Sequence, residues 1–172
     1  MSERERFEQH VLPHIDAAYN LARWLTRNDQ DADDVLQEAM LRAFRFFGGL
    51  RGEARPWLLA IVRNACFSWL QANRPGDIEL TDDDAVESEA SGPEALAARE
   101  IDRRRLNEAL AALPVYLREA LVLRELEDLS YKDIARVTGV PIGTVMSRLA
   151  RGRRALADRL RPAAPARLRV HK

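Results

Sequence analysis

From Gly143 to Arg154 the chain offers hydroxyl and guanidinium donors with no carboxylate among them. On a helix turning by about 100° per residue, Gly143, Ser147, Ala150, Arg151 and Arg154 share one face, flanked by Thr144, Met146 and Arg148. Val145, Leu149, Gly152 and Leu156 fall opposite and are the expected buried side. Such a face suits a DNA major groove, where arginine reads guanine edges or phosphates and serine or threonine reaches either. A second group lies at Arg63, Asn64, Phe67 and Ser68. An aromatic ring between a guanidinium and an amide can stack on and hydrogen-bond unpaired bases, though packing of Phe67 on a neighbouring helix explains it equally well. A third group, Asp34, Gln37, Glu38, Leu41 and Arg45, sets one apolar residue among polar ones. That pattern fits an ordinary surface and a partner-binding face alike.

The elements that must carry these groups are helices. Residues 5–27 have Leu12, Ile15, Ala18, Leu21, Ala22 and Leu25 at helical spacing, with Pro13 marking a break near the start. A second helix over 31–47 follows an acidic start (Asp29, Asp31, Asp33, Asp34) and stops at Gly48-Gly49, with Val35, Leu36, Ala39, Met40, Ala43 and Phe47 inward. A Gly- and Arg-rich loop, 48–55, leads into a third helix over 56–73, with Leu58, Ile61, Val62, Ala65 and Trp69 inward. Pro93 opens a further helix bearing Leu96, Ile101, Leu106 and Leu110, Pro114 breaks it, and a short helix continues to Glu127. Ser130 then caps a helix with Asp133 as its capping-box partner; Gly139 ends it, and Pro141 starts the donor-bearing helix. The last two form a helix-turn-helix.

A formal net charge of zero, from 27 basic and 27 acidic side chains, hides a strong polarity. Residues 1–74 carry 10 of each sign, 75–100 carry 1 basic and 9 acidic, and 101–172 carry 16 basic and 8 acidic, for nets of 0, −8 and +8. The basic end is the one that holds the helix-turn-helix, as a nucleic-acid partner requires. The fold class expected is all-α: two small helical domains, 1–74 and 93–161, joined by a flexible acidic linker at 75–92 and followed by a basic tail at 162–172.

The same residues exclude other classes. There is no Gly-rich phosphate loop, no HExxH, no Cys/His pair and no serine elbow, so no enzyme is expected. The single cysteine, Cys66, allows no intrachain disulfide, and His10 and His14 lack a third ligand, so neither metal nor cofactor is expected. No run of about 18 apolar residues exists and MSERERFEQH is charged where a signal peptide is apolar, which points to the cytoplasm and away from membranes.

Three stretches in this order, DADDVLQEAMLRAF (31–44), RPWLLAIVRNACFSWL (55–70) and LSYKDIARVTGVPIGTVMSRLARGRRAL (129–156), resemble the bacterial RNA polymerase sigma factors of the extracytoplasmic-function (ECF) type. The resemblance spans nearly all of the chain outside linker and tail. It implies a transcription initiation factor that directs core polymerase to specific promoters and assists strand opening. By the same resemblance Asp34, Gln37, Glu38 and Leu41 meet the β′ clamp helices, and the helix 115–127 approaches the β flap. Arg63, Asn64, Phe67 and Ser68 capture the non-template single strand of the minus-10 element. Thr144, Ser147, Arg148, Arg151 and Arg154 lie on or beside minus-35 duplex DNA. An anti-sigma factor is the implied regulator. Met146, Ala150, Ala60 and Ser68 depart from common family residues, so the promoter read does not carry over. The competing reading is a stand-alone helix-turn-helix repressor, which would bind duplex DNA without polymerase.

Overall fold

The computed structural model describes residues 1–78 and 103–161, and all regular structure among them is helical. Helix α1 (Glu3–Val11) opens on a true capping box: the Ser2 hydroxyl accepts from the Glu5 N–H, and the Glu5 carboxylate accepts from the Ser2 N–H. Pro13 sits in a tight turn, Leu12–His14, that separates α1 from α2 (Ile15–Thr26). Asn28 caps α3 (Asp29–Phe46), its Oδ1 accepting from the Asp31 N–H, and Asp29 and Asp31 place negative charge at the helix's positive end. Helix α4 (Ala54–Asn73) completes the N-terminal bundle, and Asp77 fastens its exit by facing both Arg27 (3.1 Å) and Arg74 (3.7 Å).

The C-terminal half begins with α5 (Arg103–Ala111) and turns at Pro114 into α6 (Val115–Leu121). The expected helix to Glu127 does not stay regular. After Leu121 it widens into a π-helical turn, Val122–Leu126, and Asp128 adopts a left-handed conformation at φ 55° that redirects the chain. Helix α7 (Tyr131–Thr138) is capped by the Ser130 hydroxyl, which accepts from the Asp133 N–H at 3.1 Å. Gly139 ends it at φ 73°, and α8 (Ile142–Leu160) starts directly after Pro141. Of the expected elements, the Pro93 helix before residue 103, most of the acidic linker and the basic tail lie outside the described residues.

Burial sorts the apolar stripes, and one expectation about packing changes, on α4. Leu12 and Ile15 are not core residues: they are 42% and 36% exposed and line a surface groove instead. On α4, Leu58, Val62 and Ala65 are buried as expected, Ile61 and Trp69 only partly, while Leu59, Cys66 and Leu70 are fully buried. The reason is a second apolar stripe. Leu59, Cys66 and Leu70 share an arc with Arg55 and Arg63, and that arc faces the C-terminal half. Helices α4 and α7 pack together there, as do α2 and α6. The two helical regions therefore share one hydrophobic core running from Phe7 to Leu149. Burying one leucine stabilises by about 1.5–3 kcal/mol, which sets the scale of what holds the halves closed.

Candidate nucleic-acid and polymerase interface

The donor-bearing helix buries three of the four residues expected on its inner side, and Leu156 only partly. Val145 and Leu149 are buried, and Gly152 lets α8 approach α6 closely, since a Cβ there would stand 3.1 Å from Leu121 and 3.5 Å from the Leu117 carbonyl. Gly143, Ser147, Ala150 and Arg154 are exposed, Thr144 and Arg151 half-buried, and Met146 is 53% exposed. Arg151 folds along its own helix, donating from Nη2 to the Ser147 hydroxyl at 3.3 Å. Arg153, which the sequence did not single out, pairs with Glu125 at 2.8 Å, and that bond raises its pKa.

Arg148 differs from its expected place. It is 9% exposed, and its guanidinium lies over the Tyr116 ring at 4.8 Å, because its position on the flank of α8 turns toward α6. The minus-10 group divides in the same manner. Asn64 and Ser68 are exposed on α4, whereas Arg63 and Phe67 face the C-terminal half. Arg63 stacks on Phe67, with Cζ 3.8 Å from the ring centroid, and makes a two-armed ion pair with Glu119 (Nε to Oε1 2.5 Å, Nη2 to Oε2 3.4 Å). Phe67 meets Tyr116 at 5.4 Å between centroids. The result is a single stack, Arg63, Phe67, Tyr116, Arg148, that links the two candidate DNA surfaces through α6. The even choice over Phe67 is thus decided in this conformation: it packs on a neighbour.

Glu119 is the centre of that contact and is completely buried. Burial pushes its carboxyl pKa up, and the Arg63 guanidinium, then Arg148 and Arg118, pull it back. Arg118, itself buried, donates to the Ala111 and Leu113 carbonyls at 3.1 and 2.7 Å and so closes the α5 to α6 turn. Desolvation lowers its pKa to about 10. Glu127 makes a further bridge between the halves, accepting from Asn20 Nδ2 at 2.6 Å and Arg55 Nη2 at 3.2 Å. Tyr116 and Glu119 carried one legible signal: a phenol and a carboxylate set among Val115, Leu117, Ala120 and Leu121 need partners once that side is buried.

The third group sits elsewhere on the molecule. Asp34, Gln37, Glu38 and Leu41 are all exposed on α3, Leu41 at 74%. Leu41 and Gln37 border a groove of about 670 Å³ between α1, α2 and α3, floored by Phe7, Leu36 and Met40 and edged by Leu12, Ile15 and Phe44. Leu41 is therefore not an isolated exposed leucine but the rim of a continuous apolar surface.

Comparison with known proteins matches these two helical regions separately. Residues 10–75 match the family Sigma-70 region 2, and residues 103–156 match Sigma-70, region 4. The RNA polymerase sigma-H factor of Pseudomonas aeruginosa is 35% identical over 93% of this chain and 89% of its own length. The chain belongs to the RNA polymerase sigma factors. The ECF RNA polymerase sigma-E factor of Escherichia coli K12 is 36% identical over 77% of this chain and 75% of its own. Among solved structures, the sigma factor RpoE of Bartonella quintana, in complex with the anti-sigma factor NepR, is similar at a TM-score of 0.72 and 26% identity, over 93% of this chain and 99% of that one. As an ECF sigma factor the protein acts in transcription initiation, and the stand-alone repressor reading gains no support from these relatives. None of the described helices is long and apolar enough to cross a membrane.

Proposed function

We propose that this sigma factor works by binding alone, with three surfaces in three roles. The face of α3 formed by Asp34, Gln37, Glu38 and Leu41, with the groove beside it, docks on the β′ clamp helices of core polymerase. Arg63, Asn64, Phe67 and Ser68 on α4 hold the unpaired non-template strand of the minus-10 element. Thr144, Ser147, Arg148, Arg151 and Arg154 on α8 fix the minus-35 duplex by phosphate and major-groove contacts. The segment 115–127, which is α6 and the π-helical turn after it, approaches the β flap. Holding unpaired bases offsets part of an unstacking cost of a few kcal/mol per step. Polymerase performs the chemistry, in the cytoplasm, and an anti-sigma factor of the kind bound by the Bartonella relative restrains the free protein.

The observation that carries this reading is the capped helix-turn-helix whose second helix, over Gly143 to Arg154, shows donors and no carboxylate on its exposed face. The test is transcription in vitro from a genomic promoter library with core enzyme and the purified chain. Promoter-specific transcripts are expected only when both are present. A library that yields none refutes the function, and a gel shift equally strong without core would favour the repressor.

A further inference from the structure

The stack that joins the two DNA surfaces has a chemistry of its own. Unpaired DNA would offer Arg63 a phosphate and Phe67 a base face. In the structure Arg63 already holds a carboxylate, Glu119, and Phe67 already holds a ring, Tyr116. The same α6 ring draws Arg148 away from the exposed face of α8. We propose that Tyr116 and Glu119 are an internal stand-in for single-stranded DNA, so that the chain in its closed form blocks its own strand-capturing surface and withdraws one arginine from its duplex-reading helix.

This inference rests on the assignment of α4 to the unpaired strand and of α8 to the upstream duplex. Geometry supports it independently of side-chain chemistry. Elements centred near minus 10 and minus 35 lie about 25 base pairs apart, or about 85 Å at 3.4 Å per pair. A compact chain of this length has a radius of gyration of about 16 Å, too small to touch both. Residues 79–102, between the two described parts, reach about 80 Å at full extension, enough with the helices themselves to let the halves part. The closed form and the promoter-bound form are therefore different states, and Arg63, Phe67 and Arg148 exchange partners between them.

The test uses the full chain and a fluorescein-labelled, mixed-sequence single-stranded 16-mer. Glu119→Gln leaves Arg63 facing an amide, so small-angle scattering should show an expanded particle. If fewer than about one wild-type molecule in ten is open, the variant should bind the 16-mer about tenfold more tightly, because apparent affinity scales with the competent fraction. The further change Phe67→Ala should abolish that gain. A second variant does not depend on how Glu119→Gln folds: Asn20→Cys with Glu127→Cys, whose native side chains meet at their tips across the interface, joined by a bis-maleimide with a reducible spacer, should bind the 16-mer poorly when crosslinked and regain affinity when reduction cleaves the spacer. Equal binding by the crosslinked and cleaved forms overturns the blocking contact, as does expansion of Glu119→Gln without tighter binding. A gain that survives Phe67→Ala overturns the strand-capture assignment, and the stand-in with it, while the opening seen by scattering stands.

Discussion

Removing Arg63 while leaving Glu119 in place tests the electrostatics of the closed form most directly. In Arg63→Met the methylene stem on Phe67 is kept in part and the guanidinium is lost, so a fully buried carboxylate remains with only Arg148 and Arg118 to oppose its desolvation. Breaking a buried pair from one side costs about 3–5 kcal/mol. The interface can part and hydrate Glu119, so the loss is capped by the free energy of closure, and about 3 kcal/mol near pH 8 is expected. The sign with pH follows from the raised pKa. A carboxyl whose folded pKa lies above its unfolded value favours the folded state most when protonated, and that advantage fades as pH rises through the folded pKa. Besides Glu119 itself, the charged or titratable groups acting there are Arg63 and Cys66 of α4, Arg118 of α6 and Arg148 of α8. Of these only Glu119 gains a proton as pH falls toward 5. Arg63→Met should therefore be markedly less destabilised at pH 5 than at pH 8, and the double variant Arg63→Met with Glu119→Leu should recover most of the loss. Denaturant unfolding at both pH values measures all of these. A cost at pH 8 below about 1 kcal/mol, or one identical at pH 5, would refute the argument that desolvation of Glu119 dominates.

Three further outcomes are expected. Leu41→Asp, or Gln37→Ala with Glu38→Ala, should weaken binding to core polymerase at least about tenfold with an unchanged melting temperature, since all three residues are exposed; titration against labelled core reads the first and calorimetry the second. Ser130→Ala removes the cap of α7 and should cost about 1 kcal/mol, lowering the melting temperature by about 2–4 °C. Cys66, fully buried and pushed up to about 12 by desolvation and then by Glu119, should resist thiol reagents at pH 8 in the wild-type chain and react faster once Glu119→Gln opens the halves; complete labelling of wild type within minutes would contradict its burial between them.

How much of this was legible depended on whether a signal was local. The Ser130 cap and the Gly139 turn at positive φ are decided within a few residues and stand where the spacing put them, while Pro141 takes the cap position one residue before the helix starts. The buried side of α8 was equally readable, because Val145, Leu149 and Gly152 face a neighbour through one periodic stripe. Leu12 and Ile15 share helical spacing with the core residues of α2, but spacing does not say whether a stripe is covered; here it borders a groove that nothing among the described residues fills. The second stripe of α4 was missed for the complementary reason. Leu59, Cys66 and Leu70 are covered by helices some 50 to 80 positions away in sequence, and a window of one helix carries no trace of that distance.

Arg63, Phe67 and Arg148 show what such a misreading means physically. Read singly, each is polar or aromatic surface suited to nucleic acid; placed in the fold, each is satisfied by Glu119 or Tyr116. These descriptions agree if the contact is reversible, because a side chain chosen to pair with a phosphate pairs as well with a carboxylate, and one chosen to stack on a base stacks as well on a phenol. The interface has two parts: Arg63, Phe67 and Arg148 can exchange their internal partners for DNA, whereas Leu59, Cys66 and Leu70 beside them have no such exchange and set the hydrophobic cost of opening. The free energy of opening is then offset in part by the strand that binds, so the open form, a minority in the free protein, gains population wherever unpaired strand is available.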